Sequence, residues 1–474
     1  MSEVATSDLT ARARGVELSK LEKTAIRALS RVPGVQFNES STRVALAVRG
    51  SAWTIAAYGA TQLLRLATTL VLARHLLGPS AFGLVALVNV FLTGLDMLSD
   101  LGIGMDVVQH KRGDDPDFIN TAFVIQAGRG LILWVIATAL AYPFAVFYHQ
   151  PEIIPLAIAG AFSVAVRGVA SSSVWLMTRH VQLGKLALLS MVGEAAGFVV
   201  SLTWAFISPS AWALVVGRVA AAVAFTVGSH VVADQRVSTK WDRSAARDIL
   251  VFGTGILLSS VTYFLGGEAE RLLVGKFITL AELGCFSLAL TIASAPLQAI
   301  RIVSGQVVYP LIAQSIRTDQ ATATRHFKSA RLLFLFLSIV IGAGFIVLGN
   351  KLVALLLPPK YAPAGWMLQW LGFRAAHNVF ALPTSNLILA AGDSKNGAIA
   401  NTARLILMVG VWIAFEKYGL YQAIAVLAFS TIIAYLVFLP AVARHLRSVL
   451  RLELLAFALF MFCMGVAAML PWIR

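Results

Sequence analysis

From residue 50 onward the chain is a succession of apolar stretches, each long enough to cross a bilayer, separated by short polar breaks. This pattern constrains the fold more than any local motif. A helix needs roughly 20 apolar residues to cross the hydrocarbon core, where backbone amides have no water to bond and only helices or closed barrels survive. The stretches fall at 50–73, 81–107, 118–146, 153–177, 186–207, 211–233, 248–268, 283–312, 332–357, 364–390, 398–416 and 420–442, with a further one at 453–472. The expected fold is all-α: a polytopic membrane protein with twelve core transmembrane helices and a thirteenth segment that spans, lies flat or is re-entrant. Composition agrees, with 58% apolar and 13% charged residues and a mean hydropathy of +0.80. Soluble domains carry about 25% charged residues, so an ordinary water-soluble enzyme is excluded.

The net charge of +15 invites a nucleic-acid reading, but in a membrane chain the position of the cations decides. Basic loops stay cytoplasmic. The loops after the even-numbered stretches hold sixteen Lys and Arg, among them Arg112, Arg179, Arg243, Arg247 and Arg331, and the opposite set holds six. The N-terminus is therefore expected in the cytoplasm, with no nucleic-acid partner. Residues 1–45 form a basic tail without the apolar segment of a secretory signal. In it Leu18, Leu21, Ala25 and Leu29 recur at helical spacing beside Lys20, Lys23, Arg27 and Arg31, which fits either a helix on an anionic lipid surface or a solvated tail.

The segments LLGPSAFGLVAL (76–87) and FITLAELGCFSL (277–288) each join two apolar stretches. Aligning Gly83 with Gly284 gives a shift of 201 residues and brings two blocks of six stretches into register. The expected organisation is a tail at 1–45, a six-helix bundle at 46–235, a second at 236–445, and 446–474 carrying the extra segment. Such repeats place a substrate path at the interface between halves.

The stretch LVLARHLLGPSAFGLVALVNVFLTGLDMLSDLGIG (70–104) resembles the opening spans of the Wzx-type polysaccharide and oligosaccharide-lipid flippases, within the multidrug/oligosaccharidyl-lipid/polysaccharide exporter superfamily. ERLLVGKFITLAELGCFSLALTIASAPLQAIRIVSGQVVYPLIAQ (270–314) is similar to the start of that family's second bundle. The firmest points are L-G-x-x-x-F-G and Pro310, and the resemblance covers roughly residues 45–445; the basic tail and the extra segment depart from the pattern. The resemblance implies a bacterial inner-membrane transporter with two bundles around a central cavity. Its substrate would be an undecaprenyl-pyrophosphate-linked oligosaccharide repeat unit, a precursor of exopolysaccharide, capsule or O-antigen, and polysaccharide polymerase machinery would be a partner.

Ionisable residues inside apolar stretches are costly and mark functional sites by default. The cations so placed are Arg65, Arg129, Arg167, Arg218, Arg301, Arg374 and Arg404, and no Lys accompanies them. Arg keeps its charge when desolvated and binds phosphate or carboxylate through a planar fork. The acids available to them are Asp96, Asp100, Asp106 and Glu194, with Glu268 and Glu270 at a span end. A surplus of fixed positive charge suits an anionic head group, and Arg65, Arg129, Arg167, Arg218 and Arg301 are the expected substrate-binding residues of a central cationic cavity. The alternative for an arginine near a span end, Arg374 and Arg404 above all, is snorkelling to the headgroups. Asp96, Asp100 and Glu194 are charge partners of the arginines or carriers of a coupling proton or sodium ion, and both roles stay open.

No phosphate loop, H-E-x-x-H or G-x-S-x-G motif occurs, so no catalytic residue, cofactor or metal is expected and the chain is not read as an enzyme. In GDDPDF (113–118) Asp117 is expected to cap a helix, and His377 to be packed and hydrogen-bonded. Cys285 and Cys463, both in apolar runs, have no disulfide or metal spacing. Gly102, Gly104, Pro296, Pro310 and Pro383 are expected to interrupt or bend their helices. A multidrug-type small-molecule or cation antiporter of the same superfamily is the competing transporter reading, disfavoured by the arginines. An integral glycan polymerase or ligase is the competing enzyme reading, disfavoured by the short outer loops.

Overall fold

The computed structural model describes residues 59–470, apart from 181, 234, 236, 268 and scattered positions between 394 and 416. The basic tail, the start of the first stretch, much of 398–416 with Arg404, and Glu268 lie outside the described residues. Helix α1 covers 59–75. It is followed by α2 (Pro79–Leu98), α3 (Ile103–Gln109), α4 (Pro116–Tyr148), α5 (Ile153–Gly168), α6 (Ser173–Arg179), α7 (Leu183–Ile207) and α8 (Trp212–Val231). Then come α9 (Arg243–Gly267), α10 (Ala269–Phe277), α11 (Leu280–Val303), α12 (Tyr309–Thr318), α13 (Gln320–Leu356), α14 (Ala364–Ala390), α15 (Leu420–His445) and α16 (Leu450–Met469). No strand occurs among the described residues.

Local chemistry sets the helix starts. Pro116 opens α4, where its missing N–H costs nothing, and the side chain of Asp115 accepts from the backbone N–H of Asp117 at 3.1 Å. The cap is thus Asp115, not Asp117, because the residue before the proline is the one held extended. Thr279 and Glu282 form a reciprocal capping box at α11, and Asp319 accepts from the N–H groups of Ala321 and Thr322 at α13.

Eight helical segments among the described residues are long and apolar enough to cross a membrane, or nine if α5 and α6, bent through 64°, are one span. Helices α1, α9 and α14 occupy the positions of expected spans 1, 7 and 10 but fall outside that set, so the count of twelve is not established. The extra C-terminal stretch forms α16, which is in the set and packs along α13. Several stretches read as single spans are broken. The second splits into α2 and α3 at Gly102, whose φ of +57° only glycine adopts cheaply. The eighth contains a π-helical turn, Ser304–Val308, between Pro296 and Pro310. Pro383, by contrast, lies inside an uninterrupted α14.

Helix α4 packs on α5, α5 on α8 and α8 on α7, the helices α12 to α16 pack successively on one another, and α2 meets α11 between the two groups. The halves touch where the sequence repeats. A Cβ on Gly83 would sit 1.9 Å from the carbonyl oxygen of Leu280, and one on Gly284 would sit 1.9 Å from that of Pro79. Leu280 is Pro79 moved by the same 201 residues, so the contact is reciprocal, the property of a two-fold interface. The same end is tied by Tyr148 Oη donating to the Leu272 carbonyl (2.7 Å), Arg74 Nη1 to Leu355 (2.8 Å), and Lys360 Nζ and Tyr361 Oη to Leu77 (2.6 and 3.1 Å).

At the opposite end the start of α9 is fastened to the first half. Arg112 donates to Asp115 (2.7 Å), Asp242 (2.6 Å) and Ser244 (2.9 Å), and Asn120 and Thr121 accept from the backbone N–H groups of Ser238 and Asp242. The hydrogen bond from Arg112, helped by Ser244, holds the Asp242 carboxyl down at about 2. Ala245 and Ile249 bury themselves beside Ile103, Val107 and Phe118.

A candidate anion site in the first half

Six helices contribute charged side chains to the first half: Arg65 on α1, Asp96 on α2, Arg129 on α4, Arg167 on α5, Glu194 on α7 and Arg218 on α8. Arg65 pairs with Glu194. Arg129 is held by four acceptors, the Asp96 carboxylate and carbonyl (both 2.7 Å) and the Ser99 carbonyl and hydroxyl (2.8 and 3.0 Å). Ser99 is available because α2 ends there and exposes its last carbonyls.

The other two arginines have no salt bridge among the described residues. Arg218 donates from Nη1 to the Asn89 side-chain oxygen at 2.7 Å and from Nε to Ser163 Oγ at 3.2 Å, both neutral acceptors. Arg167 is exposed, and its guanidinium carbon lies 4.8 Å from the centroid of the Phe225 ring. Each lies within electrostatic reach of Glu194, Asp96 and Arg65, so the four cations and two carboxylates act as one cluster. Among the described residues its balance is two positive charges in excess. A ring face and two neutral acceptors hold guanidiniums in place without cancelling their charge, which leaves these two able to bind an anion.

Two expected members stand apart. Arg301, on α11 of the other half, is exposed and makes no hydrogen bond or ion pair among the described residues. Asp100 accepts from the N–H of Gly102 at 2.9 Å and so shapes the break between α2 and α3. Asp96 and Glu194 are engaged as arginine partners. Arg374 is buried on α14, and Asp106 is buried with one oxygen unpartnered among the described residues. Sequence reasoning missed Asn89, Ser99, Ser163 and Phe225. All are ordinary residues in membrane helices, and only their facing an arginine distinguishes them.

It also misplaced Arg331. Counted as a loop cation, it is completely buried on α13 and donates to Glu453 of α16 at 2.7–2.8 Å. It also donates to the Phe380 carbonyl and Thr384 hydroxyl and lies over the Phe380 ring. Tyr435 Oη donates to Glu453 at 2.6 Å. The misreading arose because α13 has 37 residues, about 55 Å at 1.5 Å per residue, and it begins well before its apolar stretch. Without Arg331 the orientation count is fifteen to six and keeps its sign. His377 is likewise fully buried, but neither ring nitrogen has a hydrogen-bond partner among the described residues, and the ring is packed among Phe380, Tyr435, Phe457 and Phe460.

Residues 71–365 match the family model described as polysaccharide biosynthesis protein. The chain is 20% identical to an uncharacterized membrane protein in the cps region of Klebsiella pneumoniae, over 72% of this chain and 71% of that protein. It is 24% identical to the succinoglycan biosynthesis transport protein ExoT of Rhizobium meliloti (strain 1021), over 56% and 53%. With the lipopolysaccharide biosynthesis protein WzxC of Escherichia coli (strain K12) the identity is 22%, over 72% and 70%. Among solved structures, a multidrug resistance MATE family transporter of the MOP superfamily, inward-facing, superposes with a TM-score of 0.65 at 15% identity, covering 82% of this chain and 95% of that one. The lipid II flippase MurJ, inward closed, gives 0.63 at 12%, covering 89% and 99%. These structural likenesses establish the fold. The matched model spans more than half of the chain, including both copies of the repeat, and the protein is accordingly a multi-pass membrane member of the polysaccharide biosynthesis protein family.

Proposed function

We propose that the protein is a flippase that carries an anionic undecaprenyl-pyrophosphate-linked oligosaccharide from the inner to the outer leaflet by alternating access between two six-helix halves. The observation that carries this reading is the charge excess of the first-half cluster, with Arg167 and Arg218 held by a ring and by neutral acceptors. The biosynthetic relatives support a polysaccharide-precursor substrate. A pyrophosphate or uronate would dock on those two guanidiniums, and Arg65 and Arg129 would exchange Glu194 and Asp96 for substrate oxygens as the halves rock. Arg301 would meet the substrate from the second half.

The membrane potential favours this direction. Moving one negative charge outward across an inside-negative membrane gains about 2.3 kcal/mol per 100 mV. The N-terminus would lie in the cytoplasm, as the distribution of basic loops along the chain supports, the membrane would be the bacterial inner membrane, and a polysaccharide polymerase would receive the product. Coupling to a proton or sodium ion would use Asp96 or Glu194, whose release from arginine accompanies substrate binding; Asp100 is committed to the α2–α3 break.

The test is transport of a lipid-linked anionic oligosaccharide in vesicles by R129Q, R167Q, R218Q and R301Q, at clamped potential, with and without proton and sodium gradients. Loss of transport in R167Q and R218Q with normal insertion is expected. Unaltered transport in both would remove the basis of the proposal, and drug export without glycan transport would replace it with the antiporter reading.

A further inference from the structure

An open groove of about 610 Å³ runs along α9, lined by Trp241, Arg243, Ala246, Arg247, Leu250, Val251 and Thr254. From Arg243 to Thr254 these residues recur at helical spacing and form a single stripe, with Trp241 just before the helix. Its first turn is cationic and its next two are apolar, and Thr254 lies about 16 Å from Arg243 along the axis at 1.5 Å per residue. Trp241, Arg243, Arg247, Leu250 and Val251 are all exposed.

The charges of this segment are sorted by face. Its acids are engaged away from the groove, Asp242 with Arg112 and Ser244, and Asp248 with His110 at 3.9 Å. The basic residues Arg243 and Arg247 carry no hydrogen bond or ion pair among the described residues. Ala245 and Ile249, on the packed side, are buried against the first half. The helix is therefore anchored by one face and presents, by another, two guanidiniums unpaired among the described residues beside an apolar trough, with the Trp241 indole at the cationic end, the residue type that membrane proteins place at their interfaces.

We infer that this groove binds an anionic phospholipid of the leaflet faced by the basic loops, its phosphate on Arg243 and Arg247 and an acyl chain along Leu250 and Val251. Basic pockets at that depth recognise acidic headgroups through the negative surface potential. The site is separate from the cluster around Arg218, which belongs to other helices, and it does not depend on what the protein transports.

The experiment uses the full chain in vesicles of phosphatidylcholine containing brominated phosphatidylglycerol or brominated phosphatidylcholine. The Trp241 signal is isolated by difference from W241F. Quenching by the brominated anionic lipid is expected to exceed that by the neutral one, and R243Q/R247Q is expected to lower the preference up to roughly thirty-fold, as two surface charges would. Thermal unfolding in phosphatidylcholine alone verifies that the double variant folds. Equal quenching by both lipids, or a preference unchanged in the double variant, overturns the inference. Two competitors identify the anion's source. Inorganic phosphate is expected to leave the quenching unchanged, whereas displacement of the brominated lipid by a few mole per cent of polyprenyl pyrophosphate would reassign the groove to a transport substrate and overturn it too.

Discussion

The reciprocal glycine contact makes a quantitative prediction about how the halves are held. In Gly83→Ala the new methyl group would face the Leu280 carbonyl oxygen at 1.9 Å, and the obstructing atom is backbone, so no side chain can swing away. Bringing that distance from 1.9 Å to beyond 3.0 Å, the least that real contacts show, parts α2 and α11 by more than 1 Å. Overpacking of this kind costs about 1–3 kcal/mol. Gly284→Ala faces Pro79 in the same way, and both substitutions push the same two helices apart. Once the first has opened the gap the second has less to do, so the double variant should fall short of the sum by about 0.5 kcal/mol or more. Gly344→Ala on α13 is the control, because a methyl group there meets nothing within 4 Å. SDS-titrated unfolding in mixed micelles, comparing the four variants with the parent, reads all of these quantities. If G83A and G284A cost no more than G344A, or if their effects add, the helices do not meet as described and the two-fold contact is refuted.

Other consequences follow from single contacts. Glu453→Ala leaves Arg331 charged and buried beside Phe380, at a cost of about 3–5 kcal/mol, and Arg331→Met with Glu453→Leu should recover most of it in the same unfolding assay; a small loss in E453A would mean that α16 is held by its apolar face alone. Asn89→Asp places a carboxylate where a neutral oxygen now meets Arg218, halving the positive excess of the cluster, and vesicle transport should fall as far as in R218Q. Because Arg112 holds the Asp242 carboxyl at about 2 against an ordinary 3.8, the fastening of α9 is fully present above pH 4 and is lost as pH falls toward 2. In Arg112→Gln the loss should begin nearer pH 4, seen as faster amide exchange at Ser244, whose N–H is bound to Asp242 when exchange is corrected for its intrinsic pH dependence. Identical profiles for parent and variant would count against that assignment.

How much of this was legible beforehand varies from residue to residue for identifiable reasons. The apolar stretches announced α4, α8, α13 and α15 because hydropathy is a sum over neighbours in sequence. The 201-residue repeat was legible too, from two short segments whose glycines turned out to face each other's backbone. The breaks within spans were less so. Gly102 and Pro310 were flagged, but Pro383 was flagged equally and leaves α14 unbroken, since an interruption depends on whether neighbouring helices satisfy the freed backbone. Among the candidate arginines, charge type could be read from sequence and pairing could not. Arg129 and Arg218 look alike in sequence, yet one meets a carboxylate and the other an amide.

What the amino-acid order determined by itself is an all-helical membrane protein with a duplicated core, a basic side and more arginines than acids within its apolar stretches, because composition and periodicity are properties of contiguous residues. Only the tertiary structure decided which of those arginines keep an unneutralised charge, that Arg331 is buried against a glutamate 122 positions away, and that Asp242 is tied to Arg112 while Arg243 and Arg247 face the open groove along α9. Electrostatic pairing falls off over a few ångströms, and distances that short between residues so far apart in sequence are set by how the helices pack.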